Sequence, residues 1–310
     1  MATYLLRRVI QVLPVVFGIS IVAFFLLRLV PGDPIRTMLG PRASESAVQL
    51  LRARYGLDQP IPVQYMTFLQ DLLRLDLGDS LTYHRSVVDL IGARLGTTVL
   101  LIGYAALISF VVAVPLATYS AIRANRAPDH LIRLVMMVTF AMPAFWLGLL
   151  LILVFSLNLH LFPASGIGEG FPSMMRGLTL PAVTIGLYLA PVIIRSLRAS
   201  MIESLNAEYV EAARARGLPE SLILRRHVLR TSLISTVTIV GVNLGFLISG
   251  TVVVETVFAL PGIGTLLVNA VATRDFPLVQ ALSMFLGVAV VLLSLGTDVL
   301  NRLIDPRIRA

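Results

Sequence analysis

Glu208, Glu211, Arg214 and Arg216 crowd into one short stretch, with alanines at 207, 212, 213 and 215 among them and Gly217-Leu218-Pro219 behind. Charged groups interleaved with alanines in this way have the form of a docking surface, not of a pocket. The acidic groups sit where a helix amino end is positive and the basic groups where its carboxyl end is negative. The spacing therefore predicts a short helix from about Ala207 to Arg216 with Asn206 as its N-cap. Gly217 suits the left-handed position just past the helix end, and Pro219 cannot continue that helix but can begin another. Alanines leave room for a second backbone to approach closely. The stretch from Asn206 to Arg230, which also holds His227, has the form of a docking element made of two short helices and a fixed bend. A solvated helix in a polar loop would carry the same local pattern.

Other chemistry is excluded by what the chain lacks. All 25 basic residues are arginine. Without lysine the chain cannot carry a P-loop ATP site of its own, nor form a Schiff base. Without cysteine it has no disulfide, thiolate metal site or thiol nucleophile. His84, His130, His160 and His227 are too scattered for paired zinc ligation, so no metal site and no catalytic residue is assigned. Gly166-Ile167-Gly168-Glu169-Gly170 and Gly262-Ile263-Gly264 imitate phosphate-binding loops, but neither follows a strand in a βαβ unit. Both read as turns outside a membrane.

The elements that position the docking stretch are membrane spans. The chain is 57% hydrophobic and 14% charged over 310 residues, and apolar runs long enough to cross a bilayer recur along it. The pattern predicts an all-α polytopic membrane protein with six transmembrane helices, near residues 9–30, 97–122, 134–157, 178–194, 231–254 and 278–295. Pro31-Gly32-Asp33-Pro34 ends the first. Residues 1–34 form the amino end and first helix, 35–95 a helical extracytoplasmic insertion, and 96–310 a five-helix core containing the loop 203–230. Within the insertion, Ser44 predicts a helix ending before Gly56, Pro62 one running to about Leu75, and Ser86 with Asp89 a third helix start.

Arginines decide the orientation. They gather at 7 and 8, at 123, 126 and 133, at seven positions from 195 to 230, and at 302, 307 and 309, whereas the alternate short loops hold only Arg176 and Arg274. Both termini and the docking loop are predicted to be cytoplasmic. The net charge of +8 follows from this bias, and nucleic acid is not an expected partner. No Asp, Glu, His or Arg lies within the second to fifth spans, where ion-coupled carriers place an ionisable group. Ser232, Ser235, Thr236 and Asn243 make the fifth span polar along part of its surface and are candidates to line a pathway; hydroxyls bonded to their own backbone would look the same. Gly241, Gly245 and Ser249 form a small-residue stripe there. An ATP-independent transporter or channel, a membrane-embedded enzyme and a structural scaffold are the rival classes.

At Glu211-Ala212-Ala213 followed by Gly217, the sequence resembles the EAA loop of binding-protein-dependent ABC importer permeases. Val228-Leu229-Arg230 stands where that motif usually has an apolar-x-Leu-Pro element, so the closing proline is missing. The resemblance is closer to the dipeptide and oligopeptide branch, the DppB/OppB type, and covers nearly the whole chain. It is carried by Arg28 to Pro34, Tyr55 to Pro60, Asp76-Leu77-Gly78-Asp79-Ser80, Leu180-Pro181-Ala182, Arg198-Ala199-Ser200-Met201 and Val253 to Phe258 with Pro261 to Gly264. It implies a type I importer fold in the bacterial plasma membrane. The implied assembly adds a second homologous permease, two cytoplasmic ATPases that hold the ATP and Mg2+, and an extracytoplasmic peptide-binding protein. Glu211 would then face a basic group of an ATPase, Ala212 and Ala213 would allow close seating, and Gly217 would make the bend. Glu208, Arg214, Arg216 and His227 complete the implied coupling surface. The implied cargo is di- and oligopeptides, with nickel chelates, glutathione or haem as alternatives.

Overall fold

In a bilayer core every backbone N–H and C=O must be paired within the chain, which favours helices wherever the apolar runs are long. The computed structural model describes residues 2–29, 35–36, 44–54 and 56–304, and all its regular elements there are helical. The break in the apolar run read at Pro31–Pro34, Tyr55 and the tail arginines 307 and 309 lie outside the described residues, as do the side chains of Arg7, Arg8, Arg28 and Arg302.

The helices are α1 (Ala2–Leu29), α2 (Glu45–Arg54), α3 (Ile61–Leu73), α4 (Val87–Ile122), α5 (Ala127–Ala141), α6 (Ala144–Leu151) and α7 (Phe171–Leu205). After them come α8 (Glu208–Ala215), α9 (Glu220–Leu222), α10 (Arg230–Val257), α11 (Ile263–Ala272) and α12 (Phe276–Ile304). α6 runs on as a π-helical turn over Ile152–Asn158, and α9 reaches α10 through another over Ile223–Leu229. α4, α7 and residues 276–297 of α12 are each long and apolar enough to cross a membrane.

The third span departs from expectation. A single helix over 134–157 is predicted, but α5 and α6 meet at 104°. Pro143 has no N–H to continue α5 and pushes Met142 into an extended conformation, φ −77° and ψ 132°. The two turns read from glycines also differ in part. Gly166 and Gly170 do adopt left-handed φ, but Gly262 only caps α11, and Ile263 and Gly264 are helical.

The chain divides into two compact units. One comprises Met1–Gly96 with Gly262–Val291. Its core joins Val87, Leu90 and Ile91 of α4 to Leu266 of α11 and Leu278 and Leu282 of α12. Asp275 is wholly buried here. Its carboxylate accepts from Ser80 Oγ, from the amides of Leu81 and Thr82 at 3.2 and 3.0 Å, and from Leu278 N in the first turn of α12. The Asp76–Ser80 segment is thereby fixed to a helix end.

The second unit comprises Thr97–Pro261 with Leu292–Ala310. Ala105, Ser109, Ala113, Ala117 and Ala121 recur every four residues on α4 and are all buried. This stripe lets α7 approach so closely that a Cβ on Gly186 would stand 3.2 Å from Ala105 O, and Ser109 Oγ donates to Gly186 O at 3.1 Å. α10 packs along α7 on the same core, through Leu247, Val254 and Phe258. Pro115, Pro181 and Pro191 sit inside helices that continue through them.

Candidate functional site

The docking stretch folds as a bent pair of helices, one residue out of the predicted phase at its start. Ala207, not Asn206, occupies the N-cap of α8, because α7 extends to Leu205 and takes Asn206 as its own cap. The Asn206 side chain donates back to Ile202 O at 3.0 Å. The end of α8 is as predicted. Gly217 has φ +76°, its N–H donates to Arg214 O, and Leu218 N–H donates to Ala213 O. These two bonds are the Schellman pattern that glycine at this position permits. Arg214 Nε reaches Glu220 Oε1 at 2.7 Å across the bend, and this partner holds the exposed Glu220 carboxyl below its ordinary pKa.

One face of the segment is spent on the protein's own core. Val210, Ala213, Ile223 and Val228 are buried there, each full aliphatic side chain contributing about 1.5–3 kcal/mol by its removal from water. Ala213 therefore seats inward rather than toward a neighbour. The opposite face is open: Glu208, Glu211, Ala212 and Ala215, at i, i+3, i+4 and i+7, form one exposed stripe. Arg214, Arg216, Gly217, Arg225 and Arg226 are also exposed, and His227 is half-buried. Past Leu229 the chain enters α10 with helical dihedrals, so, without the closing proline of the motif, the second arm of the elbow and α10 follow one another without a break.

Immediately above the elbow on α7, Arg198 makes a two-pronged pair with Asp129 of α5, Nε to Oδ1 at 2.7 Å and Nη2 to Oδ2 at 2.6 Å. Asp129 is wholly buried and also accepts from Ser120 Oγ of α4 and from Asn125 N at 2.9 Å. The carboxylate thus ties α4, α5 and α7 together. Sequence reasoning missed it because the partners are 69 residues apart; the available signal was an aspartate in a loop otherwise rich in arginine.

The pathway candidates are not gathered on one open surface. Ser232 is buried 3.3 Å from Ser204 of α7, and Thr236 is buried with its hydroxyl on Ser232 O. Asn243 donates to Ile239 O at 2.7 Å, and the side chain of Ser235 lies outside the described residues. An apolar cavity of about 520 Å³ opens instead at the α5–α6 break, where Phe140 and Pro143 meet Tyr188 of α7 and Ser249, Gly250 and Val254 of α10. Phe140 and Tyr188 stack there with ring centroids 5.6 Å apart. Glu255, one residue beyond the span read from hydropathy, is wholly buried and accepts from Thr98 Oγ1 at 2.6 Å. Among the described residues, no three His, Cys, Asp or Glu side chains are grouped to hold a metal ion.

An exposed, alternately charged elbow continuous with a membrane helix can receive force from a neighbour and pass it inward. Comparison with known proteins gives the family. Residues 113–310 match the family described as the inner-membrane component of binding-protein-dependent transport systems, and residues 1–102 match its amino-terminal companion. A putative peptide permease of Brucella ovis is 36% identical over 317 residues, spanning all of this chain and 99% of that one. The glutathione transport system permease GsiC of Escherichia coli is 35% identical over 309 residues, with the same coverage. In solved structures, the MetNI methionine ABC transporter in an inward-facing form superposes with a TM-score of 0.59 at 16% identity, covering 70% of this chain and 96% of that one, which establishes a type I importer fold. The chain belongs to the inner-membrane components of binding-protein-dependent transport systems, the multi-pass permease subunits of ABC importers that work with ATPase and binding-protein partners.

Proposed function

We propose that this subunit forms half of the translocation pathway of an importer for di- and oligopeptides, pairs with a second homologous permease, and belongs to an assembly driven by two ATPases, one of which seats on the elbow at 203–230. The observation that carries this reading is the exposed Glu208, Glu211, Ala212 and Ala215 stripe on α8, which ends in a bend at Gly217 beyond which a second helical arm runs on into α10. The stripe offers acidic groups to basic ones and alanines to a close-lying backbone. Arg214, Arg216 and His227 flank it. The subunit itself hydrolyses nothing; ATP and Mg2+ belong to the ATPases, which agrees with the absence of lysine. Both termini and the elbow face the cytoplasm across six spans, α5 and α6 together making the third. Closure of the ATPases pushes the elbow, and α7 and α10 tilt with it. Asn243 and Ser235 contribute to the pathway wall along α10, while Ser232 and Thr236 hold that wall from inside the subunit.

Peptide cargo is supported by the similarity to the Brucella ovis peptide permease. Glutathione is the second reading, supported by comparable similarity to GsiC; a nickel chelate or haem is more remote. Glu211→Arg is expected to leave membrane insertion intact, to abolish uptake and to reduce co-purification of the ATPases at least about tenfold. Full uptake with normal co-purification would overturn the elbow's role. Mass spectrometry of the ligand retained by the cognate binding protein separates peptide from glutathione.

A further inference from the structure

From its composition the insertion between the first two spans reads as a polar lid, yet α3 is built for lipid. Between Arg8 and Arg28, the apolar run 9–27 of α1 measures about 28 Å at 1.5 Å per residue, matching a bilayer core of about 30 Å. With Arg28 at the outer boundary, Phe24 lies about 6 Å below it, Ser20 about 12 Å and Phe17 about 16 Å. α3 seats on this stretch. The Tyr65 ring meets Phe24 and Phe17 with centroids at 5.0 and 6.1 Å, Phe68 meets Phe24 at 5.8 Å, and the Tyr65 hydroxyl lies 2.8 Å from Ser20 Oγ.

The other face of α3 bears Val63, Met66 and Leu73, exposed by 44%, 61% and 85%, and Ile61 and Leu75 flank it. Two of its mid-helix polar side chains, Thr67 and Gln64, are spent within the chain, as a bilayer requires, and Gln70 stands exposed on the stripe of Val63, Met66 and Leu73. Thr67 Oγ1 donates to Val63 O at 3.1 Å, and Gln64 Nε2 donates to Gln59 O at 2.6 Å. Charge is confined to the two ends, Asp58 before the helix and Asp71 and Arg74 at its close.

We propose that α3 lies in the plane of the outer leaflet, with Tyr65 and Phe68 on α1 and the Val63, Met66 and Leu73 face against the acyl chains. The depth comes from α1, whose own exposed Phe17, Val22 and Phe25 continue the same lipid-facing surface. The proposal rests on the reading that residues 9–27 cross the membrane with the amino end inside.

Because the chain has no cysteine, single substitutions report alone. Met66→Cys and Leu73→Cys, made in the full chain expressed with its partner subunits, are exposed to a membrane-impermeant maleimide in right-side-out vesicles. Arg85→Cys, in an exposed loop, is the aqueous reference, and Val22→Cys on α1 is the lipid reference. Labelling at 66 and 73 is expected to be at least about tenfold slower than at 85, and as slow as at 22. Bimane attached at 66 and reconstituted with brominated-acyl lipid is expected to be quenched like bimane at 22. Rapid labelling at 66 would place α3 in water and overturn the proposal. Protection without quenching would mean that a protein surface covers this face, and would overturn it equally. Rapid labelling at 22 would instead show that the depth assigned to α1 is wrong, and the proposal would fall with that assignment.

Discussion

Two arginine–carboxylate pairs stand close together in the chain's architecture and do opposite work. Arg198–Asp129 and Arg214–Glu220 are both two-pronged, with shortest contacts of 2.6 and 2.7 Å. The first is shut away, its arginine side chain 16% exposed and its aspartate 0%, whereas the second is open at 43% and 67%. Their shortest contacts alone would rank them alike, although the second prong is 2.7 Å in the buried pair and 3.5 Å in the open one. Solvent separates them: a buried carboxylate stripped of its cation has nowhere to find compensation, while an exposed one finds water. The buried pair ties α4, α5 and α7 together near the elbow. The open pair braces a surface whose charges remain available to a neighbour.

The sharpest way to break this contrast is to remove the buried cation. Arg198→Ala leaves Asp129 buried with only Ser120 and Asn125 as donors and is expected to cost about 3–5 kcal/mol, read as lost thermal stability and lost subunit in the membrane. The double change with Asp129→Ala should recover a large part of that loss, because it removes the stranded charge. If the single change costs no more than a surface substitution, the two pairs do not differ and burial is not what distinguishes them.

Gly217 supplies the next largest effect. Gly217→Ala is expected to cost about 1 kcal/mol, since a Cβ there is strained at φ +76° although no heavy atom stands within 4 Å of it. Gly217→Pro goes further: it cannot adopt that φ and loses the N–H donated to Arg214 O. Uptake should be abolished while the subunit still inserts, since the damage is confined to the bend. Wild-type uptake in the proline variant would mean that the elbow transmits nothing.

What could be read from the residues followed from local rules. The left-handed position at Gly217 was legible because few other residues take it without strain, and the charge order of α8 because a helix dipole has a fixed sign. The cap at Ala207 was not, since it depends on how far α7 runs and Asn206 suits either role. The break at Pro143 was equally hidden: Pro115, Pro181 and Pro191 have the same chemistry and leave their helices unbroken. Only packing against α7 and α10 distinguishes them, and hydropathy does not contain it. Apolar cavity walls and a pair such as Arg198–Asp129 are tertiary facts of the same sort.

The smallest effect is expected at the open pair, and it tests what that pair is for. Arg214→Ala should leave thermal stability within error, because both partners face water. ATPase association should weaken and become more sensitive to salt, since an exposed brace loosens and one docking charge is gone. Glu220 has a lowered pKa because of Arg214, so the pair's contribution is complete above the ordinary carboxylate range and is lost as pH falls through that lowered value. Association in the wild type should therefore be flat between about pH 6 and pH 8 as far as this pair is concerned. A Glu220→Gln variant should behave there as Arg214→Ala does, with pull-down of the ATPases at two salt concentrations as the measurement. Equal association at both concentrations in both variants would show that the open pair is decoration on the elbow and that the stripe at Glu208 and Glu211 carries the docking alone.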